Sequence, residues 1–211
     1  MKGCQQLYDE YLALLAEGNE LYKLFFQDEQ LNVLMEANKI LDEAHSTLER
    51  CVTSYIAQLK EMGESVAGFF GQELESTMVN AKDHKSIPFL IEFGSSVDDF
   101  ESVREGLCTL ISSLLNIPEI DARSESYIEQ LIELLDNGEK PVPIQILKSV
   151  LVTATWQKNA NYGAFIKGIW ALGKHKKDVG DSLLAELRKT ERYKTDEYIR
   201  DWVDSFYLNL S

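Results

Sequence analysis

Apolar residues recur at helical spacing along almost the whole chain, and sustained strand-type alternation occurs nowhere. The first run predicts a helix from about residue 5 to 26, with Leu7, Tyr11, Leu14, Leu15, Leu21, Leu24 and Phe25 on its buried side and Gly18 relaxing it midway. The second predicts a long helix from about residue 28 to 62. Its stripe of Leu34, Asn38, Leu41, His45, Leu48, Val52, Tyr55, Leu59 and Met62 steps alternately by four and three, the seam of a coiled coil or long bundle helix. Asn38 and His45 on that seam predict a buried polar contact that fixes register. Ala37, Ala44 and Cys51 flank it and are small enough for a neighbouring helix to pack closely. The short link "QDEQ" makes the two an antiparallel hairpin, and a third helix near residues 65–80 completes a bundle.

Polar and glycine-containing residues over 81–96 mark the best boundary, where "SIPFLIEFGSS" reads as a short strand or an irregular link. Beyond it, "SSVDDFESVREGLCTLISSLLN" offers a serine cap and an apolar stripe through Phe100, Val103, Leu107, Leu110, Ile111 and Leu114. All four prolines (Pro88, Pro118, Pro141, Pro143) fall between periodic runs, where a missing N–H is tolerated.

The last third carries a recurrence. "YIEQLI" at Tyr127, "FIKGIW" at Phe165 and "YIRDWV" at Tyr198 each read aromatic, isoleucine, charged, variable, large apolar, large apolar, at spacings of 38 and 33 residues. The first two are followed by second helical runs, "PIQILKSVLVTATW" and "DVGDSLLAELRKT". Helix pairs at this spacing point to an α-solenoid, although amphipathic helices of similar length imitate such a match. The period resembles that of HEAT-like or tetratricopeptide arrays, but the consensus residues of neither appear, and no family is recognised. The expected fold is all-α. A long-helix hairpin or bundle over residues 1–80 and a link over 81–96 precede a short solenoid-like array of antiparallel helix pairs over 97–211. The parts are expected to pack as one compact unit.

Charge changes this picture more than composition does. The chain carries −14, and residues 1–105 hold 8 Lys+Arg against 20 Asp+Glu, a net −12, leaving −2 for the rest. Such a field disfavours nucleic acid over most of the surface and attracts a basic partner. No apolar run reaches the ~20 residues of a membrane span. The N-terminus "MKGCQQLYDEY" lacks an apolar signal core, and three separated cysteines fit reduced thiols, so a cytoplasmic location is expected.

Candidate chemistry is thin. "GIWALGKH" copies a phosphate-binding loop up to Lys174, but His175 stands where Ser or Thr should hold Mg²⁺, and its interior continues a helical stripe. "DEAH" at Asp42–His45 falls mid-helix, and a di-iron site needs more inward His and carboxylates than His45, His84 and His175 allow. Cys4, Cys51 and Cys108 lack zinc-site spacing, and no glycine-framed nucleophile follows a strand. No cofactor, metal or catalytic residue is therefore expected.

One stretch resists dismissal. Residues 148–177 contain six lysines and no acid. Its candidate contacts are Lys158, Tyr162, Lys167, Lys174, His175, Lys176 and Lys177. Phe165, Ile169 and Leu172 share a face with Trp170 beside it, and Trp156 belongs to the preceding helix, so the large side chains read as core. The alternative contact surface is acidic: Asp9, Glu10, Glu17 and Glu20. The expected function is non-catalytic binding of another protein, as adaptor, assembly factor or inhibitor. One rival is an acidic immunity-type inhibitor of a basic toxin or nuclease. Another is a nucleic-acid binder that uses the lysine and aromatic stretch.

Overall fold

The computed structural model describes residues 2–28, 30–79, 86–157 and 162–210. Among the described residues eleven α-helices follow one another: α1 Lys2–Asp28, α2 Leu31–Met62, α3 Val66–Val79, α4 Ile87–Ser96, α5 Glu101–Leu115, α6 Ala122–Asp136, α7 Ile144–Lys148, α8 Gly163–Leu172, α9 Lys177–Leu187, α10 Glu191–Thr195 and α11 Glu197–Leu210. A π-helical turn, Ser149–Thr153, continues α7. Among the described residues there are no strands, as the all-α pattern requires. The chain divides into two compact units, Met1–Glu73 with Asp83–Asp98, and Leu74–Lys82 with Asp99–Ser211.

In the first unit α1 and α2 form the expected antiparallel hairpin, ~40 and ~48 Å long at 1.5 Å per residue. Its line of contact is made mostly of small groups, with Tyr11 the one large side chain among them. Cys4, Tyr11 and Gly18 are buried at seven-residue intervals on α1, as are Ala37, Ala44 and Cys51 on α2. A Cβ on Gly18 would sit 2.6 Å from Leu41 Cδ2, so this glycine serves close approach and not relaxation. At the other end the Cys51 thiol reaches the Cys4 carbonyl at 3.3 Å.

The seam of α2 is therefore turned from the predicted one. Leu48, Val52 and Leu59 are buried as expected, but Asn38, His45 and Met62 are exposed. Asn38 still touches α1, accepting a hydrogen bond from Tyr22 at the surface, whereas His45 is no register residue. The small residues decide the phase, because backbones approach closest where side chains are shortest. Leu24, predicted buried, is also exposed.

The segment expected as strand or link folds as α4. Pro88 falls in the first turn, where its missing N–H costs nothing, and Ile87, Leu90, Phe93 and Gly94 are buried at helical spacing. The serines at its end do not cap α5. Ser95 and Ser96 bond back to Glu92, and α5 begins without a side-chain cap.

The second unit is built from shorter helices with bulkier contacts. α8 packs against α6, α7, the π turn and α11. Ile128, Leu131, Ile132 and Leu135 of α6 are fully buried, as are Ile169 and Ala164 of α8. Asp121 caps α6 by accepting from Ser124 N–H at 2.7 Å. Buried Arg104 of α5 donates to the Leu135 and Pro141 carbonyls at 3.2 and 2.8 Å, holding the end of α6.

The three recurring hexamers each lie on a helix, yet their burial differs. Ile128 with Ile132, and Ile199 with Val203, are buried pairs, whereas the middle copy buries Phe165 and Ile169, one place earlier. Its last member, Trp170, is exposed, contrary to its expected place in the core. The likeness is one of helical periodicity, not of equivalent positions. Trp156 is likewise not helical. Residues 154–157 run extended, and Ile120 exchanges backbone hydrogen bonds with Thr155 and Gln157 at 2.8 and 3.0 Å.

Candidate functional site

The lysine stretch does not converge into one basic surface. Lys158 lies outside the described residues. Lys167 pairs with Glu133 of α6 at 2.9 Å and sits over the Trp170 ring at 5.4 Å. Lys174 meets the Asp136 carboxylate at 3.3 Å, and Lys148 meets Glu186 at 2.6 Å. His175 Nε2 lies 2.8 Å from the Val142 carbonyl, so the ring anchors a loop. Lys176 and Lys177 are exposed, with no ion-pair partner among the described residues. The loop-like "GIWALG" is helix and the turn that ends it, so its N–H groups are spent on α8 instead of facing a phosphate.

Tyr162 is held in a site that the sequence did not announce. Its backbone is left-handed at φ 62, in a residue that pays sterically for that conformation. The Glu129 carboxylate lies over the start of α8, against Gly163. That placement sets negative charge against the positive end of the helix. The Tyr162 hydroxyl donates to Asp196 at 2.7 Å, which, with burial, raises its pKa. The Arg192 guanidinium lies 5.5, 5.6 and 5.3 Å from the rings of Trp156, Tyr162 and Phe165. Burial pulls its pKa down, opposed by Asp196, Tyr162 and Glu125. With Arg192 on it and Tyr198 4.9 Å away, the Tyr162 ring is engaged inside the protein. This arrangement ties α10 and α11 to α8.

The four acidic candidates do not form one cluster either. Asp9 accepts from Gln5 at 3.0 Å near the start of α1, whereas Glu17 and Glu20 lie two or more turns further along. Glu20 pairs with Lys23 at 2.5 Å.

What stands beyond Glu20 is the end of the hairpin, and there the surface is apolar. Phe26 is 75% exposed, Leu31 67%, Met35 67% and Leu24 47%. Residues 21–35 hold nine apolar side chains out of fifteen, more than two helices alone can cover. Phe25 of α1 and Leu34 of α2 remain half-buried here too. Around this tip, residues 17–43 carry seven acids and two lysines. Sequence reasoning missed the tip because it assigned Leu24 and Phe25 to a core. The available signal was an apolar run crossing a predicted turn.

Thiol chemistry is muted. Burial, with Cys4 adding to it, raises the Cys51 pKa to about 11, and burial raises that of Cys108. Among the described residues no three of His, Cys, Asp and Glu gather as a metal site, and no helix is long and apolar enough to cross a membrane. No protein-family model, curated protein or solved structure matches the chain.

Proposed function

We propose that this chain is a non-catalytic protein-interaction module whose hairpin tip receives a basic amphipathic helix of another protein. The supporting observation is the exposure of Phe26, Leu31 and Met35 near the end of the hairpin, within a segment of net charge −5. Exposed apolar patches rimmed by charge are characteristic of docking surfaces, and methionine adapts to varied partners. A third helix laid along α1 and α2 would cover these side chains, its lysines or arginines meeting Glu17, Glu20, Glu36 and Asp42.

Magnitudes require both halves of this arrangement. Completing the burial of three mostly exposed apolar side chains yields on the order of 3–6 kcal/mol. Association costs about 4–15 kcal/mol, so the apolar tip alone gives weak binding at best. Charge complementarity supplies the encounter rate and the selectivity.

The test uses two synthetic amphipathic helices of equal length, one Leu/Lys and one Leu/Glu, titrated against the full chain by fluorescence anisotropy. The Leu/Lys peptide is expected to bind and to weaken as salt rises. The triple variant Phe26→Gln, Leu31→Gln, Met35→Gln is expected to lose at least tenfold in affinity. Equal binding of both peptides, or an unchanged affinity in the triple variant, would refute the assignment.

A further inference from the structure

We infer that the first unit contains a separate binding cavity for a small organic ammonium group, caged by Tyr8, Tyr55, Phe69 and Phe89 with the Glu73 carboxylate. The cavity has a volume of about 420 Å³ and is formed by α1, α2, α3 and the start of α4. That size falls within the ~300–1,000 Å³ of small-molecule sites.

The chemistry of the walls selects the ligand class. The Tyr55 and Phe69 rings lie 4.6 Å apart at 34°. Phe89 stands edge-on to both Tyr55 and Tyr8, at 6.2 Å and 90° and at 5.8 Å and 81°. Phe89, steep to both Tyr55 and Tyr8, turns the aromatic wall into a corner beside the Tyr55–Phe69 pair. No Leu, Ile or Val is among the described lining residues, and no basic side chain is either. An aliphatic ligand would be better served by aliphatic walls. An anion would meet aromatic rings and the Glu73 carboxylate, with no basic side chain among the described lining residues. A cation with apolar substituents is attracted by the ring quadrupoles and by Glu73, and its alkyl groups lose little on leaving water. Gln5 and Ser86, also on the lining, suit a hydroxyl or carbonyl carried by the ligand. The buried thiols of Cys4 and Cys51 close the floor as small apolar groups. The site uses residues apart from the hairpin tip, and the two assignments stand or fall separately.

Two sources offer this chemistry: a free quaternary amine, and a methylated lysine of a protein. The experiment is a proton NMR titration of the full chain with two matched pairs. The first is choline against its uncharged carbon isostere, 3,3-dimethyl-1-butanol. The second is a short peptide bearing Nε-trimethyllysine against the same peptide with the neutral tert-butyl analogue. Bound N-methyl protons are expected to move upfield under the ring currents. The cation of at least one pair is expected to bind about tenfold more tightly than its neutral partner. The pair that discriminates identifies the source. Glu73→Gln is expected to erase the preference for charge while sparing binding of the isostere, and Tyr55→Leu to weaken the cation severalfold. Should Tyr55→Leu fail to fold, the wild-type pairs and Glu73→Gln still decide. Equal affinities within both pairs, or no saturable upfield shift with either cation, overturn the inference.

Discussion

The hairpin and the C-terminal array both solve the problem of burying a helical stripe, but with opposite materials. Along α1 and α2 the buried line is Cys4, Tyr11 and Gly18 against Ala37, Ala44 and Cys51, and close backbone approach does the work of bulk. Between α6 and α8 the line is Ile128, Leu131, Ile132 and Leu135 against Phe165, Ile169 and Leu172. Those short helices are also tied at their ends by Arg104, by the Asp121 cap and by the Lys167–Glu133 pair. The array therefore buries most of its large apolar residues, with Trp170 and Tyr198 left 52 and 46% exposed. The hairpin, with a thin seam, leaves Phe26, Leu31 and Met35 to the solvent. A narrow interface builds a long lever, and the surplus apolar surface collects at its end.

This contrast predicts that the two regions break in opposite directions. The largest effect is expected from truncation in the array: Ile132→Ala removes a side chain with no solvent exposure and should cost about 2–5 kcal/mol. Tryptophan fluorescence during urea unfolding follows it, because Trp156, Trp170 and Trp202 all lie in the second unit. In the hairpin it is enlargement that should harm. Ala44→Leu forces extra carbons between helices at their closest approach, at a cost of about 1–3 kcal/mol, seen as a lower urea midpoint by circular dichroism. Were Ala44→Leu neutral, the small-residue line would be a coincidence of composition.

Much of this was legible in the sequence, and the failures share a cause. Periodicity gave the all-α fold, the hairpin and the helix-pair succession, since a 3.6-residue repeat survives whatever packs on it. Phase was less readable. A stripe weighted by size chose Leu34, Asn38 and Leu41, whereas the interface centred on Ala37, Ala44 and Cys51, which a hydrophobicity pattern ranks low. α4 was ambiguous because a short apolar run around Pro88 fits either secondary structure until its burial partners are known. The ammonium cavity was invisible for a different reason. Cys4, Tyr55, Phe69 and Phe89 come from four helices, and no local spacing links them. The lysine stretch misled for the converse reason: its charges adjoin in sequence, but Lys148, Lys167 and Lys174 each face a carboxylate from elsewhere.

The smallest expected effect on stability is the sharpest on the comparison. Replacing Phe26, Leu31 and Met35 together by glutamine removes three large apolar groups, a change that would be ruinous in the array. At 75, 67 and 67% exposure these side chains contribute little burial to the isolated chain. Glutamine is also as good a helix former as leucine or methionine, so helix propensity should not fall. Surface substitutions of this kind usually stay within about 0.5 kcal/mol each, and loss of the Phe26 contacts with Tyr22 and Phe25 at 6.4 and 5.6 Å sets the scale of any decrease. The urea midpoint by circular dichroism should therefore move little, while affinity for the basic helical peptide collapses. A stability loss above about 2 kcal/mol would mean that the tip is covered by this chain's own residues in solution, and the hairpin would then be no less self-sufficient than the array.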